Sequence, residues 1–308
     1  MEQHRFITPF ALCFLLMTSA LFAGGQTEPS PGAVSAASEI TVTDSRGAEI
    51  RLSAYPRKVI SLGPNLTETV FALRRENLLI GRTDFCDYPE TALEIPSVGT
   101  LMEPSLETII GLEPDLVLAS THVSEETLDS LEKAAVPVAL LYGPEDFSGL
   151  EEVVTGCGRL LDADEAASEL MAEIRTRRDE VLETASGFPV RPRVYYALGF
   201  GDGGDWTAGG GTFIDAMITM AGGENIAGSL EGWSFSKEML VQENPDIIVV
   251  GAGQKERFLT LPVYRDLNAA RTGQVYEIDE NTLVRQGPRL AEGLESLSLF
   301  YRTFLETL

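Results

Sequence analysis

Short apolar runs alternate with segments of helical period along most of the chain. Ile40 to Thr43 and Glu49 to Leu52 flank a Ser45-Arg46-Gly47 turn and predict a small hairpin. The pattern then gives strands at Val59 to Leu62, Leu79 to Arg82, Leu116 to Ala119 and Val136 to Tyr142. Between them lie helices from Thr67 to Arg74, Leu106 to Leu112 and Glu125 to Ala134. Phe147 to Ser186 carries no strand pattern. Within it, Ala163 to Glu183 is rich in Ala, Glu, Leu and Arg and lacks Gly and Pro, which predicts one long helix. After Gly187 and Pro189 the alternation resumes, with strands at Val194 to Leu198, Ile247 to Val250 and Val275 to Ile278. Helices follow at Phe213 to Ala221, Lys237 to Gln242 and Arg289 to Leu305. Continuous apolar strands separated by helices specify parallel sheets covered on both faces. The expected fold class is α/β: two Rossmann-like lobes, residues 39–160 and 188–308, joined by a long interdomain helix at 161–187.

The N-terminus has a different character. Arg5 precedes an apolar run from Phe6 to Phe22, and small residues at Ala20, Ala23, Gly24 and Gly25 offer cleavage sites, so residues 1–23 are expected to be an export signal. Residues 24–38, rich in Gly, Pro, Ser and Ala, are expected to form a flexible linker. The mature protein is then expected outside the cytoplasm, periplasmic or tethered to the outer face of the membrane.

The two lobes share a stretch at a constant offset of 131 residues. Ser105 to Leu118, SLETIIGLEPDLVL, aligns without a gap with Ser236 to Val249, SKEMLVQENPDIIV. In each copy the Ser is placed to cap a helix, the Glu two residues later sits in its first turn, the Pro closes it and the Asp opens a buried strand. Val59 to Gly63 and Val194 to Gly199 form a looser second parallel.

Charge narrows the function. Forty-seven Asp and Glu against 23 Lys and Arg give a formal net charge of -24, a field that repels nucleic acid and anionic membrane surfaces. With the signal removed, His122 is the one histidine left, and Cys86 and Cys157 are the remaining cysteines, read as small buried hydrophobes rather than a disulfide framework. No nucleophile elbow, H-E-x-x-H, P-loop or paired C-x-x-C occurs, so no enzyme activity is expected. Gly199 to Gly204 satisfies G-x-G-x-x-G after a strand, the mark of a dinucleotide-dependent oxidoreductase, but further glycines rather than a helix follow it. Tyr195-Tyr196 raises a free ferric ion site, yet neighbouring strand residues point to opposite faces.

Thr67-Glu68, Gly81 to Pro89, Pro96-Ser97-Val98-Gly99, Leu106-Glu107, Pro114-Asp115, Gly222 to Ile226, Pro245-Asp246 and Gly287-Pro288-Arg289, taken in this order, resemble the substrate-binding proteins of ABC importers for vitamin B12 and ferric siderophores. The resemblance covers Ile40 to the C-terminus. It implies a monomeric bilobed protein with a rigid interdomain helix, no cofactor of its own, and a metal-chelate ligand held in the cleft. That ligand is an iron(III)-siderophore or a corrinoid, with haem or free ferric ion as the alternative. Partners are then the importer permease with its ATPase. Glu107 and Glu238 match the family's permease-docking glutamates. A wall for a large, partly flat ligand needs aromatic and aliphatic side chains with a few polar groups. Loops at strand ends supply Tyr88, Leu101, Met102, Tyr142, Phe200, Trp206, Trp233 and Phe235, with Arg82 and Arg285 to hold polar or anionic groups. Tyr88 lies in a motif that contributes an aromatic in cobalamin binders. Trp233 lies where they often place a tryptophan, and Leu101-Met102 stand where some carry another.

Overall fold

The structure is a computed structural model and describes residues 40–308; the expected signal and linker lie outside the described residues. The N-terminal part runs β1 (Ile40–Thr43), β2 (Glu49–Leu52), β3 (Val59–Ser61), α1 (Pro64–Ala72), β4 (Leu79–Arg82), α2 (Leu106–Gly111), β5 (Leu116–Ala119), α3 (Glu125–Lys133), β6 (Val138–Leu140) and α4 (Phe147–Leu160). The long α5 (Asp164–Ser186) follows. The C-terminal part is β7 (Arg193–Ala197), α6 (Phe213–Met220), β8 (Glu224–Asn225), α7 (Lys237–Glu243), β9 (Ile247–Gly251), α8 (Lys255–Thr260), α9 (Pro262–Arg265), α10 (Asn268–Arg271), β10 (Val275–Ile278), α11 (Asn281–Val284) and α12 (Leu290–Leu305). Among the described residues no helix is long and apolar enough to cross a membrane.

Each lobe is built on a four-stranded parallel sheet. The orders β4-β3-β5-β6 and β8-β7-β9-β10 are the same topology twice. The 131-residue repeat is one element of that duplication. Ser105 accepts from Thr108 N at the start of α2, and Ser236 accepts from Met239 N at the start of α7. Both helices end on a non-glycine residue in the left-handed region, Glu113 at φ 50° and Asn244 at φ 41°. The aspartates then clamp the first strand of each sheet. Asp115 N donates to Lys58 O at 2.8 Å while its Oδ2 accepts from Arg57 N and Lys58 N. Asp246 N donates to Arg193 O at 2.9 Å while its Oδ2 accepts from Arg193 N at 2.8 Å.

Strand alternation sorts the core into layers. Ile60, Val117 and Val138 face one cluster with α3, and Tyr195, Ile248 and Val250 face another with Phe258 and Tyr264. The opposite faces of both sheets share a single core: Val59 and Leu118 of the first sheet, Val194 and Val249 of the second, Met171, Ile174 and Val181 of α5, and Leu290 and Leu294 of α12. Tyr195 and Tyr196 thus lie on opposite faces, each with a buried hydroxyl that lacks a hydrogen-bond partner among the described residues. Cys86 and Cys157 are buried free thiols, and burial pushes the Cys157 thiol up to about 12.

Geometry of the interlobe cleft and family membership

The order of the first sheet reverses direction between β3 and β5, and a parallel sheet opens a crevice at that point, beyond the carboxyl ends of its strands. Pro64 and Asn65 follow β3 and Ser120, Thr121 and His122 follow β5, and all five line a cavity of ≈ 580 Å³. Tyr142 to Glu145, after β6, complete the N-lobe wall. The C-lobe supplies Phe213 and Ile214 from α6, Trp233 from the loop before α7, and Leu283 to Gln286 around the end of α11. The wall is mixed: aromatic and aliphatic carbons interspersed with amides and hydroxyls, together with His122, Glu145 and Arg285, the composition of a small-molecule site.

Two sets of polar contacts tie the lobes at the edge of this cavity. Gln286 Nε2 donates to Pro144 O at 2.6 Å, and Gly143 N donates to Gln286 Oε1. Behind them Glu68 of α1, 4% exposed, receives both C-lobe arginines. Arg289 Nε and Nη2 donate to its two oxygens at 2.9 and 3.0 Å, and Arg285 Nη1 donates to Oε1 at 2.8 Å. Arg289 also binds Asp279, and its guanidinium lies 3.9 Å from the centre of the Tyr88 ring. Arg285 also binds Asp87 Oδ1 at 2.7 Å and Phe85 O. Burial acts to lower the pKa of both guanidiniums, and the carboxylate partners outweigh it, leaving both raised. At Asp87 burial acts to raise the pKa, but the hydrogen bond and charge of Arg285 win and hold it below the usual carboxylate range.

Of the ten expected wall residues, Tyr142, Trp233 and Arg285 line the cavity. Trp206, 48% exposed, sits beside it: its backbone bridges to Gly199 and to Ser234, the neighbour of Trp233. Its ring lies over Gly199, where a Cβ would come within 3.1 Å of the indole. This bridged strip, not a helix, follows the glycine motif at 199–204, so the start of a dinucleotide-binding helix is missing there. Tyr88 stacks under Arg289 at the interlobe junction.

The remaining five expected residues do not line this cavity, and three of them are buried elsewhere. Arg82 is buried and donates to Ala92 O, Thr83 O and Leu93 O, so its cation serves the backbone of the N-lobe instead of a ligand. Phe200 packs edge-on against Phe258 and Tyr264, and Phe235 packs on Tyr195, both inside the C-lobe core. Leu101 and Met102 lie on the loop closed by the Gly99 to Pro104 bridge and do not line the cavity. Sequence reasoning missed Asn65, Gln286 and Glu68. A glutamate between two threonines, the one charged residue of this helix, was the available signal for the last.

Glu107 and Glu238 are both exposed, at matching places in the first turns of α2 and α7. Among the described residues neither is in a salt bridge. The Glu238 pKa is lowered by its own backbone N–H and by the Ser236 hydroxyl.

Two duplicated α/β lobes, a shared core on one side and a mixed-polarity cleft on the other define a bilobed small-molecule binding protein. The chain belongs to the periplasmic binding protein family, whose profile matches residues 59–282. Members of that family are binding proteins, not enzymes. The chain is 30% identical over 321 aligned positions to a cobalamin-binding protein of Halobacterium salinarum, covering 97% of this chain and 85% of that one. It is 29% identical over 252 positions to a vitamin B12-binding protein of Photorhabdus laumondii, covering 80% and 88%. Among solved structures, a periplasmic heme-binding protein from Roseiflexus sp. RS-1 in apo form superposes with a TM-score of 0.75 at 25% identity, covering 81% of this chain and 99% of that one.

Proposed function

We propose that this protein is the extracytoplasmic substrate-binding protein of an ABC importer, that it captures a corrinoid in the interlobe cleft, and that it delivers it to the permease without chemical change. One observation carries the choice of ligand. Among the described residues lining the cavity, Arg285 is the only Lys or Arg, and its guanidinium is already committed to Glu68 and Asp87. Among the described residues no Lys or Arg is left unpaired there for the carboxylates of haem or the oxygens of an anionic catecholate. Asn65, Ser120, Thr121 and Gln286 instead suit the neutral carboxamides of a corrinoid, and Trp233 and Tyr142 suit its flat face. The names of the two cobalamin-binding relatives agree with this reading. A neutral ferric hydroxamate meets the same criteria of charge and size and is the second ligand to test.

The chain acts as a monomer, exported by its apolar N-terminal segment, and docks on the permease through Glu107 and Glu238. Titrating intrinsic tryptophan fluorescence of residues 26–308 with cyanocobalamin is expected to give saturable quenching at micromolar concentration or below. A ferric hydroxamate and haem are titrated in parallel. Tighter binding of haem than of cyanocobalamin would overturn the corrinoid assignment. Reversing both docking charges, E107R with E238R, is expected to abolish uptake while leaving ligand affinity unchanged. A fall in ligand affinity would instead place these residues in the pocket.

A further inference from the structure

The likeness of the two lobes continues onto the surface of α2 and α7. Four positions of each helix face solvent, 107, 108, 110 and 111 in one and 238, 239, 241 and 242 in the other. Across the 131-residue offset two of them change character, Thr108 to Met239 and Gly111 to Gln242. Two keep it: glutamate at 107 and 238, and a β-branched apolar residue at 110 and 241. Ile110 is 41% exposed and Val241 is 53% exposed. A three-residue spacing stacks each apolar side chain on the same side as its glutamate, one turn further along.

Packing explains the adjacent pair, Ile109 and Leu240, which are both fully buried. It does not explain Ile110 and Val241. A β-branched residue is a poor choice for an exposed helix position, and its apolar surface is better out of water. Single exposed apolar residues are ordinary on protein surfaces; the same kind of residue beside the same glutamate on both lobes is a repeated feature.

We infer that Ile110 and Val241 are the apolar halves of two equivalent docking contacts whose charged halves are Glu107 and Glu238. This inference rests on the docking reading above. The occupant is the importer permease, which must present at each of two places a basic side chain next to an apolar hollow. The basic part is complementary to the exposed glutamates of a strongly acidic chain. The two halves do different work. The glutamates steer encounter and are screened by salt, whereas the apolar side chains hold the formed complex by burial, which salt does not screen.

The test measures docking of the exported chain on its permease and ATPase complex in nanodiscs, by interferometry at low and high salt. Affinity for cyanocobalamin is followed separately by tryptophan fluorescence. I110S and V241S are each expected to weaken docking about tenfold, the loss expected for withdrawing one aliphatic side chain from burial, through faster dissociation and with an unchanged salt dependence. The double variant should lose roughly the product, and I110V with V241I should dock like the parent. E107Q and E238Q should instead slow association and flatten the salt dependence. Normal docking of both serine variants while the glutamine variants fail would overturn the apolar assignment and leave the docking reading standing. Normal docking of all four would overturn both.

Discussion

Glu68 serves two guanidiniums with one carboxylate, and all three side chains are at most 10% exposed. Removing it leaves two mostly buried cations with one carboxylate partner each, Asp87 for Arg285 and Asp279 for Arg289. E68A should therefore cost about 3–5 kcal/mol, the range for breaking a buried pair by deleting one partner, read as a lowered urea midpoint at constant slope. Asp87, on the solvent side of the same network, carries a pH response of its own. A carboxylate whose folded pKa is depressed contributes stability that is full above its unfolded pKa and is lost as pH falls through the folded one. The Asp87 to Arg285 tie should therefore survive mild acid and dissolve only below the ordinary Asp range. A carbon-detected NMR titration of the Asp87 side chain checks this. The Glu68 pairings were beyond the sequence because they join α1 to a segment more than 200 residues later. Phe200 was misplaced for the same reason. It follows a strand among glycines, as a cleft residue would, and the Phe258 and Tyr264 that bury it come from a distant segment without a clear period.

At the scale of elements, the repeat predicts matched consequences in the two lobes. S105A and S236A each remove a side-chain acceptor from a helix start, and each should cost roughly 1 kcal/mol by thermal or urea unfolding. Unequal losses would argue against a shared design. Strands and the longer helices were legible because their apolar residues recur at the right period; β4, β5 and β10 have the expected limits. The short α8, α9 and α10 were missed, since helices of four to six residues span too little of a period to show it. α4 was read only as a segment without strands. It carries Gly149, Gly156 and Gly158, which depress helix propensity. Close packing explains them: a Cβ at Gly158 would lie 2.6 Å from that of Ala167 on α5, and one at Gly149 would lie 2.1 Å from Pro144 O.

For the molecule as a whole, the core shared along α5 and the Glu68 network to Arg285 and Arg289 both tie the two lobes together. Ligand binding should therefore change the radius of gyration very little, and E68Q should change more on binding than the parent, both measurable by small-angle scattering. An equal, large closure in both proteins would show that neither tie restrains the lobes. The two cysteines bear on how such motion is best followed. Cys86 and Cys157 are both buried, and burial pushes the Cys157 thiol up to about 12, which leaves it almost no thiolate at neutral pH. One cysteine introduced on each lobe, at the exposed positions Glu90 and Asp202, would take up a maleimide dye with little background. Residues 26–308 are thus ready to serve as a fluorescent distance gauge for their own cargo, with neither Cys86 nor Cys157 needing removal.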